Sequence, residues 1–268
     1  MSSNRETGRH DILWSHHLEF LSPEIALVLF LAAVLAGLVD AIAGGGGLIA
    51  LPALLWAGLP PLLALGTNKL QGSFGTLTAG IHFWRKGLVD LRKMWAAIAC
   101  TFIGSAAGTA LVQSLDAALL HTLVPLLLIG FALYFLLSPR VSDQDATRRI
   151  SPVAFALLIG TLVGGYDGFF GPGTGSFFVL AYVVLLGYNL RRATAHTKVL
   201  NFTSNIAALL AFGLAGNVVW ALGLLMAAGQ FIGAWIGSHL AIRHGGRVIR
   251  PALVVVSLLI SAKLLFDW

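Results

Sequence analysis

The chain has 268 residues, of which 57% are hydrophobic and only 10% are charged, and its mean hydropathy is +0.87. A soluble domain carries about 25% charged residues, so this composition excludes an ordinary soluble protein and indicates an integral membrane protein. The formal net charge of +6 does not indicate nucleic-acid binding, because the basic residues lie in loops between apolar runs and are typical of charges that orient a membrane chain.

After a polar N-terminal tail, the apolar runs predict an all-α polytopic bundle of ten transmembrane segments. The predicted segments are 23–43, 47–58, 68–84, 94–113, 117–137, 151–170, 175–187, 197–214, 217–240 and 248–266. A spanning helix needs about 20 residues, so the second and seventh segments are short. Each follows a glycine-rich break, "GGGG" at Gly44–Gly47 or "GPGTG" at Gly171–Gly175. Short, interrupted segments at matching positions in two halves indicate a transporter binding site.

The second half of the chain repeats the first. Many residues recur 129 positions later, including Lys69 as Lys198, and this offset holds without a gap from Gly44 to Leu111. The pattern predicts an internal duplication. The predicted domains are a tail at 1–22, a first transmembrane repeat at 23–137, a cytoplasmic linker at 138–150 and a second repeat at 151–268.

The basic loops predict that the two repeats have inverted topology. The loop 85–93 has four basic residues and its counterpart 215–219 has none, whereas the loop 188–195 contains Arg191 and Arg192. If basic loops stay in the cytoplasm, both termini lie outside. Treating the short segments as re-entrant gives eight spans and puts both arginines outside, so we predict ten crossings.

The two glycine breaks are candidate ligand-binding elements. A break at bilayer depth frees backbone N–H groups that cannot face lipid, and the next helix turns its positive dipole end toward the break. The alternative is tight helix packing in lipid, which is the interpretation we favour for Gly104, Gly108, Gly233 and Gly237. The candidate substrate-binding residues of the breaks are Gly44, Gly45, Gly46, Gly47, Gly173, Thr174, Gly175 and Ser176.

Two lysines have polar neighbours in both halves. They lie in "GTNKLQGSFGT" and "AHTKVLNFTSN", where each is predicted at the start of an apolar helix. A cation, amide donors and helix N-termini together suit a small oxyanion. The alternative is a lysine that snorkels at a helix end. The further candidate substrate-binding residues are Asn68, Lys69, Thr76, Thr197, Lys198, Asn201 and Asn205.

Asp40 and Asp167 precede the two breaks and are candidate proton-coupling residues, because an acid inside a membrane is costly and is typically functional. The alternatives are an acid at the membrane interface and a partner for a lysine. A single cysteine, Cys100, and histidines without ligand spacing predict no metal site, and we expect no cofactor.

Several motifs carry a family resemblance. They are "GLVDAIAGGGGLIALPALLWAG", "LGTNKLQGSFGT", "GGYDGFFGPGTGSFF", "RRATAHTKVLNFTSN" and "GQFIGAWIGSHLAIRHGGRVIRP". Together they resemble the sulfite exporter TauE/SafE-like family of prokaryotic permeases (the 4-toluene sulfonate uptake permeases), and within it the YfcA-type subgroup. The resemblance covers residues 22–268. It implies a transporter of two repeats in a prokaryotic plasma (inner) membrane and, for relatives, anionic sulfur substrates such as sulfite, organosulfonates or sulfoacetate.

These observations predict a secondary transporter that moves a small anion by alternating access. A passive anion channel is the alternative, and an intramembrane enzyme is a more distant one. The chain has no Walker motif, so an ATPase would be a separate chain. The expected partners are a small-molecule anion and the lipid bilayer, not nucleic acid. The wide apolar surface permits a homodimer without indicating one.

Overall fold

The computed structural model describes residues 22–124, 126–127 and 147–244, and this part of the chain is α-helical without strands. The main helices are α1 (Pro23–Ala43), α2 (Gly47–Trp56), α3 (Pro61–Arg85), α4 (Trp95–Gln113), α5 (Pro152–Phe169), α6 (Thr174–Leu186), α7 (Leu190–Leu214) and α8 (Trp220–His244). A 3₁₀ turn at Leu91–Lys93 precedes α4, a π-helical turn at Ala156–Gly160 interrupts α5, and residues 117–124 are helical.

The predicted segment 248–266, most of segment 117–137 and the N-terminal tail lie outside the described residues. Four of the described helices, α1, α4, α5 and α8, are long and apolar enough to cross a membrane. The short helices α2 and α6 have 10 and 13 residues, which is about 15 and 20 Å at 1.5 Å per residue and less than the ~30 Å hydrocarbon core. The prediction of short helices after two glycine breaks is therefore confirmed.

Two long helices begin earlier than predicted. The segment expected at 68–84 starts at Pro61, because proline is suited to the first helical position. The segment expected at 197–214 starts directly after Asn189, whose side chain accepts a hydrogen bond from the N–H of Arg192 at 2.9 Å. The loops between the short and long helices are consequently shorter than predicted, and Arg192 lies in the first turn of α7.

This earlier start corrects the position of the two lysines. Lys69 and Lys198 lie well inside α3 and α7, not at a helix start. They are 1% and 0% exposed, so they do not snorkel. A polar stretch is tolerated inside these helices because it faces other helices rather than lipid.

Two apolar clusters lie on either side of a central polar layer. Helix α1 has Leu29 in the first cluster and Ala43 in the second, whereas α5 begins with Phe155 in the second cluster and Phe170 follows its end in the first. After its break, each short helix returns to the cluster from which its half started. This alternation between the clusters is what an inverted duplication would produce, and the inverted topology stays a prediction.

Small residues bring long helices together. Helix α8 packs along α1, and α4 packs along α5. A Cβ added at Gly108 would lie 1.9 Å from the carbonyl oxygen of Gly165, and one added at Gly233 would lie 1.9 Å from that of Val34. Gly104 and Gly237 make similarly close contacts across the same two interfaces. The packing interpretation of these four glycines is thus confirmed.

Candidate functional site

The two glycine breaks touch each other. A Cβ added at Gly44 would lie 2.5 Å from the carbonyl carbon of Gly175, and one added at Gly175 would lie 2.4 Å from the Cα of Gly44. Gly44 also has a φ of +82°. The Ser176 hydroxyl donates to the carbonyl oxygen of Ala43 at 2.8 Å across the same contact. Only glycine allows two backbones to approach this closely.

A small cavity of about 40 Å³ lies where the breaks meet. The first residues of α2 and α6 line it, so both short helices present their N-terminal, positive dipole ends to the same space. The lining residues are Asp40, Gly44, Gly46, Gly47, Asn68, Lys69, Gln71, Gly72, Thr76, Asp167, Gly171, Gly173, Thr174, Gly175, Asn201, Asn205 and Gln230.

Each lysine pairs with the aspartate of the other half. The Nζ of Lys69 is 2.7 Å from Oδ1 of Asp167, and the Nζ of Lys198 is 3.0 Å from Oδ2 of Asp40. Each ammonium group also donates to the backbone carbonyl oxygen of its aspartate. Of the interpretations open for the aspartates, a partner for a lysine is the one that the geometry supports directly.

These two pairs leave the site without formal net charge. Two ammonium groups balance two carboxylates, so the lysines do not make the cavity cationic as the sequence led us to expect. The positive potential that remains comes from the two helix N-termini, whose partial charges are each about half a unit.

Most of the predicted site residues meet at this cavity, but four do not line it. These are Gly45, Ser176, Thr197 and Lys198. Lys198 instead lies behind Asp40, and Ser176 joins the two breaks. The candidate set omitted Gln71, Gly72, Gly171 and Gln230, which do line the cavity.

Gln230 lines the cavity but was not among the predicted site residues, although its place in the sequence is unusual. It is an amide in a helix of small and apolar residues, where a polar side chain is costly unless it has a role. Its Oε1 is buried without a hydrogen-bond partner among the described residues, as are Oε1 of Gln71 and Oδ1 of Asn201. Buried polar atoms are normally paired, so these oxygens can accept hydrogen bonds from a water or a protonated ligand in the cavity, whereas an anion would be bound by the amide NH₂ groups.

A second, larger cavity of about 580 Å³ lies at the end of the bundle that carries the basic loops. Lys93, Arg191 and Arg192 contribute charge to its walls, and Trp95 at its edge is 72% exposed. Its wall includes rings from three helices and the loop before α7 that pack on one another. These rings belong to Phe155, Tyr182, Tyr188 and His196, with centroids 4.6–5.5 Å apart. We call this cavity the basic vestibule.

Comparison with known proteins gives the family. The family model "Sulfite exporter TauE/SafE" matches residues 29–264. The chain is 51% identical over 250 residues to "Probable membrane transporter protein YfcA" of Escherichia coli (strain K12), with 93% of each chain covered. It is 47% identical over 244 residues to "Probable membrane transporter protein" of Haemophilus influenzae, covering 91% of this chain and 96% of the relative.

A more distant relative, "Probable membrane transporter protein YdhB" of Bacillus subtilis, is 25% identical over 245 residues, covering 90% of this chain and 99% of the relative. No solved structure matches the chain significantly. The matched family and these relatives are membrane transporters, not enzymes, and they are bacterial. The chain is a multi-pass membrane transporter that belongs to the sulfite exporter TauE/SafE family.

Proposed function

We propose that the chain is a secondary transporter of a small oxyanion, which binds in the cavity between the two glycine breaks. The observation that carries this proposal is the convergence of two helix N-termini, those of α2 and α6, on one buried space. Oriented N–H groups and positive dipole ends are a general means of holding an anion. The amide of Asn201 and the other cavity amides add hydrogen-bond donors.

The size of the cavity favours an inorganic oxyanion. A cavity needs a volume of about 10–15 Å³ for each water molecule that it holds. The central cavity, with about 40 Å³, therefore holds only a few waters. A tetrahedral or pyramidal ion of four or five heavy atoms is comparable in size, whereas an organosulfonate needs more room than this conformation offers. The name of the matched family supports a sulfur oxyanion such as sulfite as the first compound to test.

Charge balance supports coupling to a proton. An anion that enters a site with two lysines and two carboxylates would leave one negative charge uncompensated in a buried place, which is costly. Protonation of one carboxylate removes that excess and releases a lysine toward the anion. We therefore propose that the anion is bound together with a proton.

The proposed transport route alternates between the two ends of the bundle. The basic vestibule supplies an anion-attracting approach from the end with Arg191 and Arg192. At the opposite end the path is closed by buried apolar side chains, including Leu54, Phe212 and Leu222. The contact between the breaks joins the two halves of the chain, and a site between inverted repeats is what alternating access requires. We place the vestibule on the cytoplasmic side of a bacterial inner membrane and both termini outside.

Binding can be tested by thermal unfolding of the purified protein with sulfite, sulfate, thiosulfate, phosphate, sulfoacetate, taurine and short carboxylates. A ligand that binds the folded state raises the midpoint in proportion to ln(1 + [L]/Kd). We expect an increase with one inorganic sulfur oxyanion that is lost in Asn201→Ala and Asn205→Ala. The control Thr78→Ala changes a hydroxyl of the same bundle that bonds to its own helix and keeps the increase. No increase with any anion would contradict the proposal.

A further inference from the structure

The two lysine–aspartate pairs occupy equivalent places in the two halves, yet their surroundings differ. Lys69 corresponds to Lys198 by the 129-residue offset, and Asp40 corresponds to Asp167 with a two-residue shift from that offset. In one pair the carboxylate is fully hydrogen-bonded, and in the other it is not. This difference bears on which carboxylate takes up the proton of the proposed transport cycle.

Asp167 is held on both oxygens. Its Oδ1 accepts from the Lys69 ammonium at 2.7 Å, and its Oδ2 accepts from the Ser204 hydroxyl. The Thr174 hydroxyl lies 3.0 Å from Oδ1 and 2.6 Å from the carbonyl oxygen of Gly171, so it shares its proton between them. The side chain is 5% exposed. The ammonium and the hydroxyls stabilise the ionised form, and a proton on Asp167 would deprive the hydroxyls of an anionic acceptor.

Asp40 lacks both hydroxyl partners. Its Oδ2 is 3.0 Å from the Lys198 ammonium, and its Oδ1 accepts only a long hydrogen bond, 3.4 Å, from the N–H of Gly46. The positions that correspond to Thr174 and Ser204 are occupied by Gly45 and Gly75, which have no side chain. The Asp40 side chain is also more exposed, at 13%, and it lines the central cavity.

Few other charges face Asp40. Helix α1 packs against α2, α3, α6, α7 and α8. Among the described residues around the cavity, α7 contributes Lys198, α3 contributes Lys69, and α5 contributes Asp167 across the space. The cavity residues of α2 and α6 are glycines and a threonine, and α8 contributes the neutral Gln230. A proton on Asp40 would therefore leave Lys198, whose side chain is 0% exposed, as the unpaired cation of the site.

We propose that Asp40, and not Asp167, is the carboxylate that takes up the proton, and that the Lys198 ammonium it releases then pairs with the anion. The Lys69–Asp167 pair stays closed and holds the two halves together. One proton and one singly charged anion enter together, so the net charge of the site is zero before and after loading. This inference rests on the proposed function but can fail independently of it.

The test follows protonated carboxylic acids directly. Infrared difference spectra are recorded on the purified protein in lipid vesicles as the buffer is acidified in steps, without any added anion. The exposed carboxylic acids contribute the same bands to the spectra of all variants, so they do not affect the comparison. We expect one acid carbonyl band that is present in wild type and in Asp167→Asn and is lost in Asp40→Asn. A band lost in Asp167→Asn, or identical in all three proteins, would overturn the proposal.

A reciprocal variant keeps the test decisive if an asparagine variant does not fold. Thr174→Val with Ser204→Ala removes both hydroxyls from Asp167 and makes its surroundings resemble those of Asp40. We expect a second titrating acid band in this protein, and its absence would contradict the role given to the hydroxyls.

Thiosulfate, which stays ionised throughout, separates this inference from the proposed function. It should move the Asp40 band to higher pH, because the anion favours the released lysine. A band that responds to acid but not to thiosulfate or the other anions would leave the assignment of Asp40 intact and would overturn the pairing of Lys198 with the anion. Absence of any anion binding in the thermal unfolding experiment would count against the proposed function and against the pairing of Lys198 with an anion, but not against the assignment of the proton to Asp40.

Discussion

Lys69 belongs to the first half of the chain and Asp167 to the second, and their charged atoms are 2.7 Å apart with side chains only 1% and 5% exposed. The Lys198–Asp40 pair joins the halves in the opposite sense. Two buried, reciprocal ion pairs thus connect the halves around the cavity. Each ammonium group also donates to the backbone carbonyl oxygen of its aspartate, close to the following glycine break.

The Lys69–Asp167 pair should be costly to break from one side. We expect Lys69→Met to destabilise the protein by about 3–5 kcal/mol, because it leaves a carboxylate buried without its cation. Thermal unfolding in detergent measures this loss. The double variant Lys69→Met with Asp167→Asn buries no charge and should recover most of the stability. A double variant no more stable than the single one would contradict the ion-pair assignment.

Gly44 should be essential for anion binding because it contacts Gly175, and not only because its backbone is in the left-handed conformation. Gly58 is the matched control, since its φ of +86° is close to the +82° of Gly44 but a Cβ there meets nothing within 4 Å. Alanine at either position costs about 1–2 kcal/mol for the left-handed conformation. We expect Gly58→Ala to retain anion binding and Gly44→Ala to lose it. Equal binding by both variants would argue against a site at the junction of the breaks.

The α4–α5 interface offers a pair of glycines with opposite expectations. A Cβ at Gly108 would lie 1.9 Å from the Gly165 carbonyl oxygen, whereas a Cβ at Gly165 would lie 3.5 Å from that of Gly104. Gly108→Ala must push the helices apart and should lower the unfolding temperature. Gly165→Ala should be neutral or stabilise by about 0.5–1 kcal/mol through helix propensity. Similar unfolding temperatures for the two variants would contradict the close packing.

The inverted topology predicts opposite accessibility for two equivalent loop positions. Lys86 and Ala215 correspond by the 129-residue offset, and both are exposed at helix ends. In a Cys100→Ser background, which removes the only cysteine, a membrane-impermeant thiol reagent should label Ala215→Cys in intact cells. Lys86→Cys should react only after the cells are opened. Labelling of both positions from the same side would exclude inverted repeats.

Much of the architecture could be predicted because the signals are strong and local. Long glycine-rich runs favour a break in a helix, so the end of α1 and the starts of the two short helices followed directly from Gly44–Gly47 and Gly171–Gly175. Because the two halves repeat at a fixed offset, the polar stretches of α3 and α7 were predicted to form one binding site together. Their residues then met at one cavity, as expected for the two faces of a pseudo-symmetric site.

The pairing across the halves could not be predicted in the same way. The sequence offered two lysines and two aspartates, but whether each acid meets a lysine depends on how α1 crosses α7 and how α5 crosses α3. The starts of α3 and α7 were misplaced because the residues before Asn68 and Thr197 were assigned to loops. In the structure each helix runs without a break from Pro61 or Leu190 through its lysine.

The central claim is that this chain carries a small oxyanion across a membrane through the cavity between its glycine breaks. The most direct measurement is counterflow of [³⁵S]sulfite into proteoliposomes preloaded with unlabelled sulfite, in wild type, Gly44→Ala and Gly58→Ala. The account predicts transient accumulation of label above equilibrium in wild type and Gly58→Ala and none in Gly44→Ala. Uptake that rises to equilibrium without an overshoot would indicate a passive channel. An overshoot that persists in Gly44→Ala would contradict a site between the breaks.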